Sequence, residues 1–137
     1  MPRYLWDTDH LTLFEHGHAL VGRRLALQPP GAVAISVVTI EESLRGRLAQ
    51  LARARDGPTR ILQYALLAQT IQLFILFPVV PFDQAAETRF QRFRPLRIGT
   101  QDRKIAAIGL ANQLTLVTRN HRDFARIPGL LLDDWSV

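Results

Sequence analysis

Short β-branched runs alternate with longer, partly apolar segments along the whole chain, and this alternation constrains the fold more than any other feature. Arg3–Trp6 reads as a first strand. Ala32–Val37 (AVAISV), Phe77–Phe82, Leu96–Ile98 and Leu114–Thr118 (LTLVT) read as further strands, with Leu130–Leu132 at an edge. The intervening segments read as helices. Leu11–Leu27 is helical with interruptions at Gly17 and Gly22, and Val38–Arg55 places Ile40, Leu44, Leu48 and Leu51 at helical spacing. Thr59–Ile75, a helix capped by Asp83 and running through Phe93, the small-residue helix Gln101–Asn112 and the short Arg119–Ala125 complete the set. Pro29-Pro30-Gly31 and Asp56-Gly57-Pro58 mark turns. The pattern predicts an α/β fold around a mainly parallel sheet of about five strands, and such sheets bind ligands outside the carboxyl ends of their strands.

The 137 residues predict one domain over 1–137. There is no cysteine, which excludes a disulfide scaffold, a thiolate metal site and a cysteine nucleophile, and fits the reducing cytoplasm, where the chain is expected. The opening MPRYLWDTDH carries acids where a signal peptide is apolar. Tyr64–Phe82 is broken by Gln69, Gln72, Pro78 and Pro81, so no membrane span is expected. Lys+Arg number 17 against 12 Asp+Glu, for a formal charge of +5, and Lys104 is the one lysine. Arginine is the better bidentate ligand for phosphate and carboxylate, which favours an acidic partner, nucleic acid first and an acidic protein second.

The polar residues directly after the strands are mostly acids. Asp7 follows the first strand, Glu42 lies in the helical turn after the second, Asp102 opens the helix after Leu96–Ile98, and Asn120 and Asp123 follow the fifth. Each has a purely structural explanation. Thr39 and Glu42 have capping-box spacing, as do Asn120 and Asp123; Asp102 suits a helix N-terminus after a Thr100 cap; Asp7 can cap the first helix. Together the acids demand more. Carboxylates converging on one sheet edge raise one another's pKa, and a divalent cation removes that conflict. Oxygen ligands without His or Cys favour Mg2+ or Mn2+, which lower the pKa of bound water and neutralise phosphoryl charge. A basic chain with such a site suggests a metal-dependent nuclease.

The blocks YLWDTDHL, AISVVTIEESLRG, RIGTQDRKIAAIGLANQLTLVTRNHRDFARIPGL and LLLDDW, in that order, resemble the PIN-domain ribonucleases, and among them the VapC-type toxins of toxin–antitoxin pairs. Residues 51–76 carry no family motif. The resemblance implies a three-layer α/β/α sandwich and hydrolysis of RNA phosphodiesters with Mg2+ or Mn2+. By position it makes Asp7, Glu42 and Asp102 the metal ligands. Glu42 is preferred to Glu41 because the family acid falls three residues after Thr39. Asn120 stands where the family often has an acid, and Asp123 keeps the downstream one; the carboxamide can bind a metal-bound water but cannot serve as a base. Thr8, Thr39 and Thr118 are second-layer hydroxyls in this scheme, and Asp9, where Asn is commoner, faces the rim or caps the helix. Arg103, Lys104, Arg119 and Arg122 are candidate RNA-phosphate contacts. The resemblance also implies a homodimer and a small antitoxin protein that blocks the site.

Two other readings compete. Asp7-Thr8-Asp9 after a strand, with Lys104 and Asp133-Asp134, mimics a haloacid-dehalogenase-type phosphohydrolase, but that scheme leaves Glu42 and Asp102 unexplained. A non-catalytic RNA- or antitoxin-binding module is favoured by Asn120. His10, His16, His18 and His121 are expected to face solvent or cap helices, Trp6 to enter the core and Trp135 to anchor the C-terminal segment. Leu66, Leu67, Phe74, Ile75 and Phe77 form either core or a surface for a partner.

Overall fold

A computed structural model describes residues 1–137. The elements, in order, are β1 (Tyr4–Trp6), α1 (Thr8–Glu15), α2 (Ala19–Ala26), β2 (Val33–Ser36), α3 (Val37–Ala52), α4 (Gly57–Ile75), β3 (Val79–Val80), α5 (Gln84–Arg92), α6 (Thr100–Ala111), β4 (Thr115–Val117), α7 (His121–Phe124) and β5 (Leu132–Asp133). The five strands form one sheet in the order β3-β2-β1-β4-β5, and every pair is parallel. This is the expected fold class. The order reverses at β1, so the crevice between the ends of β1 and β4 is the topological switch point where such sheets take ligands.

Strand alternation builds two cores. Leu5, Ala34 and Leu116 point to the face covered by α5 and α6, with Ile105, Ala106 and Phe124. Trp6, Val33, Ile35 and Val117 point to the other, with Leu11, Val21, Phe74 and Trp135. The small residues of α6 let it press onto the sheet. A Cβ at Gly109 would sit in van der Waals contact with Leu130 Cδ1 at 3.5 Å and Leu5 Cδ2 at 3.7 Å, so a side chain longer than alanine's would wedge the layers apart.

Several local expectations are corrected. Leu96–Ile98 is not a strand: the segment turns between α5 and α6, and buried Ile98 plugs the core instead of joining the ladder. Asp102 therefore follows a turn. The helix after β2 begins at Val37, and its cap is Ser36, whose Oγ accepts from Thr39 N at 3.1 Å. Thr39 is thus inside the helix and wholly buried, not its cap. Thr100 is likewise the first residue of α6 and not its cap; the cap position is Gly99, which supplies no side-chain hydrogen bond. Gly22 lies within α2; the break falls at Gly17, whose φ of +79° suits glycine. The third strand shrinks to Val79–Val80, and Leu48 is exposed on α3. Phe74 and Phe77 are core, while Ile75 is exposed on the outer face of α4. No helix is long and apolar enough to cross a membrane.

Candidate active site

Asp7 ends β1 and caps α1. Its backbone N–H donates to Val117 O at 3.1 Å, which fixes it at the β1–β4 crevice. Its Oδ1 accepts from His10 N at 2.8 Å and lies 3.3 Å from His10 Nδ1. His10 Nε2 accepts from the backbone N–H of Trp135 at 3.2 Å, which leaves the ring proton on Nδ1, directed at Asp7. With Oδ1 so engaged, Oδ2 is the oxygen Asp7 has free for the crevice. The expectation that His10 faces solvent or caps a helix is overturned: it is wholly buried because both ring nitrogens have partners inside the protein. The sequence carries no local signal for this, since one partner is 125 positions away.

Glu42 enters from α3. Thr8 Oγ1 donates to Glu42 Oε1 at 2.6 Å and lies 3.0 Å from Thr39 Oγ1, which is 3.4 Å from the capping Ser36 Oγ. A chain of hydroxyls thus runs from the N-terminus of α3 to the carboxylate. Glu41 turns away from the crevice. It accepts from Gln101 Nε2 and Arg45; the Gln101 hydrogen bond lowers its pKa, desolvation opposes it, and the charges of Arg45 and Lys104 add to the lowering.

Asp102 enters from the first turn of α6. Its pKa is pushed up to about 6, first by burial, then by the charges of Glu42, Asp7 and Asp123, with the Asn120 side chain opposing. Asn120 follows β4 and caps α7 as its spacing suggested, with Oδ1 accepting from Asp123 N at 3.4 Å and Nδ2 donating to Asp123 Oδ2 at 3.1 Å. Thr118 is buried and accepts from Asn120 N at 2.9 Å.

Asp7, Thr8, Asp9, Glu42, Asp102, Arg119 and Asn120 line one polar cavity of about 500 Å³. Asp123 stands behind Asn120. Of the four candidate phosphate contacts, only Arg119 lines this cavity, and it is held by Asp9 through two hydrogen bonds of 2.7 and 2.9 Å. Arg103 lies over the Phe90 ring at 5.3 Å, Lys104 lines a separate hollow with Glu41 and Phe82, and Arg122 is exposed on α7. That placement of Lys104 removes the geometry a haloacid-dehalogenase scheme needs. Asp133 and Asp134 hold the C-terminal segment, accepting from Trp135 Nε1 and Ser136.

The donor set fits a hard divalent cation: three oxygen-bearing acids converge with no free cation to balance them. The one grouping whose ligand atoms all lie within 4.8 Å of one another is Asp7, Asp9 and His10. There the imidazole is buried and engaged and Asp9 is paired, so the open oxygens are those of Asp7, Glu42 and Asp102.

A parallel sheet with carboxylates gathered at its switch point is an arrangement that can hold a divalent cation. Residues 9–130 match the PIN domain family, and the chain belongs to that family. It is 48% identical over 41 residues to Ribonuclease VapC2 of Rickettsia felis, a match spanning 30% of this chain and 31% of that protein. A toxin–antitoxin complex from Klebsiella pneumoniae contains a similar chain, at 26% identity and TM-score 0.70, covering 93% of this chain and 95% of that one. The DNA-bound VapBC of Salmonella typhimurium contains another, at 22% identity and TM-score 0.77, covering 98% and 99%, and shows the shared fold.

Proposed function

We propose that this chain is a Mg2+- or Mn2+-dependent endoribonuclease, the toxin of a toxin–antitoxin pair. The observation that carries the reading is the convergence of Asp7, Glu42 and Asp102 on one polar cavity whose single cation, Arg119, is committed to Asp9. Family membership and the names of the relatives support it. Asp7, Glu42 and Asp102 would hold the ion, directly or through water; when bound, it activates water and neutralises charge on the phosphoryl group. The protein's part is positioning. His10 and the α1 backbone fix Oδ1 of Asp7, Thr8 fixes Glu42, and the Asn120 carboxamide orients a water without accepting its proton. The apolar residues Ile61, Leu62, Ile71 and Ile75, exposed on α4, supply a surface for a second copy or an antitoxin.

Cleavage of total and transfer RNA by the purified protein with Mg2+, Mn2+ or EDTA, beside an Asp7→Asn/Asp102→Asn variant, tests this reading. Metal-dependent cutting, lost in the variant, is expected. A folded, partner-free preparation that cuts no RNA favours the non-catalytic binding module, the reading that Asn120 supports.

A further inference from the structure

A second cleft, of about 370 Å³, opens beside the acidic cavity between α1, α3 and α4. Thr8 and Glu42 line both, so their hydrogen bond forms the wall between them. We infer that this cleft is a base-binding subsite, taking one nucleobase of single-stranded RNA next to the phosphate being cleaved. The inference rests on the nuclease reading and names a part of its substrate.

Size and chemistry favour a base. The volume lies at the low end of small-molecule sites, about 300–1,000 Å³. A splayed-out base needs a flat surface for its face and mixed donors and acceptors for its edge. Leu73 supplies apolar surface over the buried Leu11 at the floor, and His16, Ser43 and Gln50 supply the edge partners. Arg47 is held in advance: its Nε donates to Thr70 Oγ1 at 2.9 Å, and its Nη2 lies 3.5 Å from Glu15 Oε1. The guanidinium is thereby fixed as a planar group, and its other terminal nitrogen makes no hydrogen bond within the chain.

The same residues disfavour the alternatives. Glu15 and Glu42 flank Arg47, so the cleft is a poor seat for phosphate but suits a neutral, polar base. A docked amphipathic helix needs an apolar stripe, and only two leucines line this cleft, whereas the exposed Ile61, Leu62, Ile71 and Ile75 lie elsewhere on α4.

Gly46 provides the test. A Cβ there meets nothing within 4 Å and Gly46 lines the cleft, so Gly46→Leu starts into open space, at a position where leucine favours the helix. Gln50→Ala removes an edge partner without filling the space. The substrates are RNA oligonucleotides of one sequence, each with a single abasic ribose at a different position. For the wild-type protein in Mn2+, removal of one base beside the cleaved bond should lower kcat/KM by about tenfold, the scale of one stacked base. In Gly46→Leu the intact RNA should fall to the abasic level, the abasic RNA should be cut at the wild-type rate, and Mn2+ affinity by calorimetry should be unchanged. Gln50→Ala should show a smaller effect of the same kind. A base dependence that survives Gly46→Leu overturns the subsite and leaves the nuclease reading standing. So does a Gly46→Leu protein that cuts RNA normally but loses a protein partner. A wild-type protein that cuts none of these RNAs overturns both.

Discussion

The backbone N–H of Trp135 donates to Nε2 of His10 at 3.2 Å, and Nδ1 of the same ring lies 3.3 Å from Oδ1 of Asp7. One buried imidazole thus couples the C-terminal segment to the first acid of the site. His10→Ala leaves a buried N–H unpaired and a cavity behind, so it should cost about 3 kcal/mol and lower Tm by roughly 10 °C. His10→Asn, whose amide replaces Nδ1 but not Nε2, should recover Mn2+ binding more fully than stability. Thermal melts and Mn2+ calorimetry on both variants separate the two effects.

Asp102 governs the pH response of the metal-free protein. Its pKa stands near 6 in the folded chain against an ordinary 3.8, so the native state keeps that proton longer than the unfolded state does. Stability is therefore lost as pH rises from about 4 to 6, by on the order of 1–2 kcal/mol once solvent screening is allowed for. Asp102→Asn should raise Tm at pH 7.5 and leave it nearly unchanged at pH 4. Melting curves at both values in EDTA check this. Wild-type Mn2+ affinity should fall as pH drops through 6, because the ligand must shed its proton.

Asp9 restrains Arg119. Asp9→Asn removes the counter-charge and frees the guanidinium for a phosphate. RNA binding should tighten several-fold at low salt, and the salt slope should steepen by about 0.7, one single-strand phosphate contact. Arg119→Ala should show neither change. Fluorescence anisotropy across a salt series distinguishes them, and equal slopes in wild type and Asp9→Asn would sink the prediction.

The hydroxyl chain from Ser36 through Thr39 and Thr8 to Glu42 makes a separate prediction. Ser36→Ala loses the cap of α3 and should cost about 1 kcal/mol. Thr39→Val is nearly isosteric but breaks the chain, so kcat on RNA should fall more than KM rises, and Thr39→Ser should restore it. An equal loss in Thr39→Ser would mean that Thr39 acts through packing alone.

Asp7, Glu42 and Asn120 are legible because each sits where a strand gives way to a helix, a boundary that β-branched runs and first-turn residues mark locally. Asp102 reaches the same cavity from the first turn of α6 after a turn, so the residue is legible but the strand expected before it is not there. Leu96–Ile98 misleads because two apolar residues flanking Arg97 fit a strand or a core plug equally well, and only the sheet order shows that the five strands pair without it. The burial of His10 and the pairing of Arg119 with Asp9 depend on partners more than 100 positions away. Periodicity reports local geometry, and nothing in it encodes which distant backbone N–H a ring will meet.

The first strand of the chain is the middle strand of the sheet, flanked by β2 and by β4. During synthesis β1 emerges early, yet its β4 neighbour follows only after more than 100 further residues, and loops of that span close late. Asp7 cannot meet Asn120 before then. A nascent or truncated chain that stops short of β4 lacks Asn120, one wall of the crevice and the Val117 carbonyl that fixes Asp7 there. The complete site therefore belongs only to the finished chain.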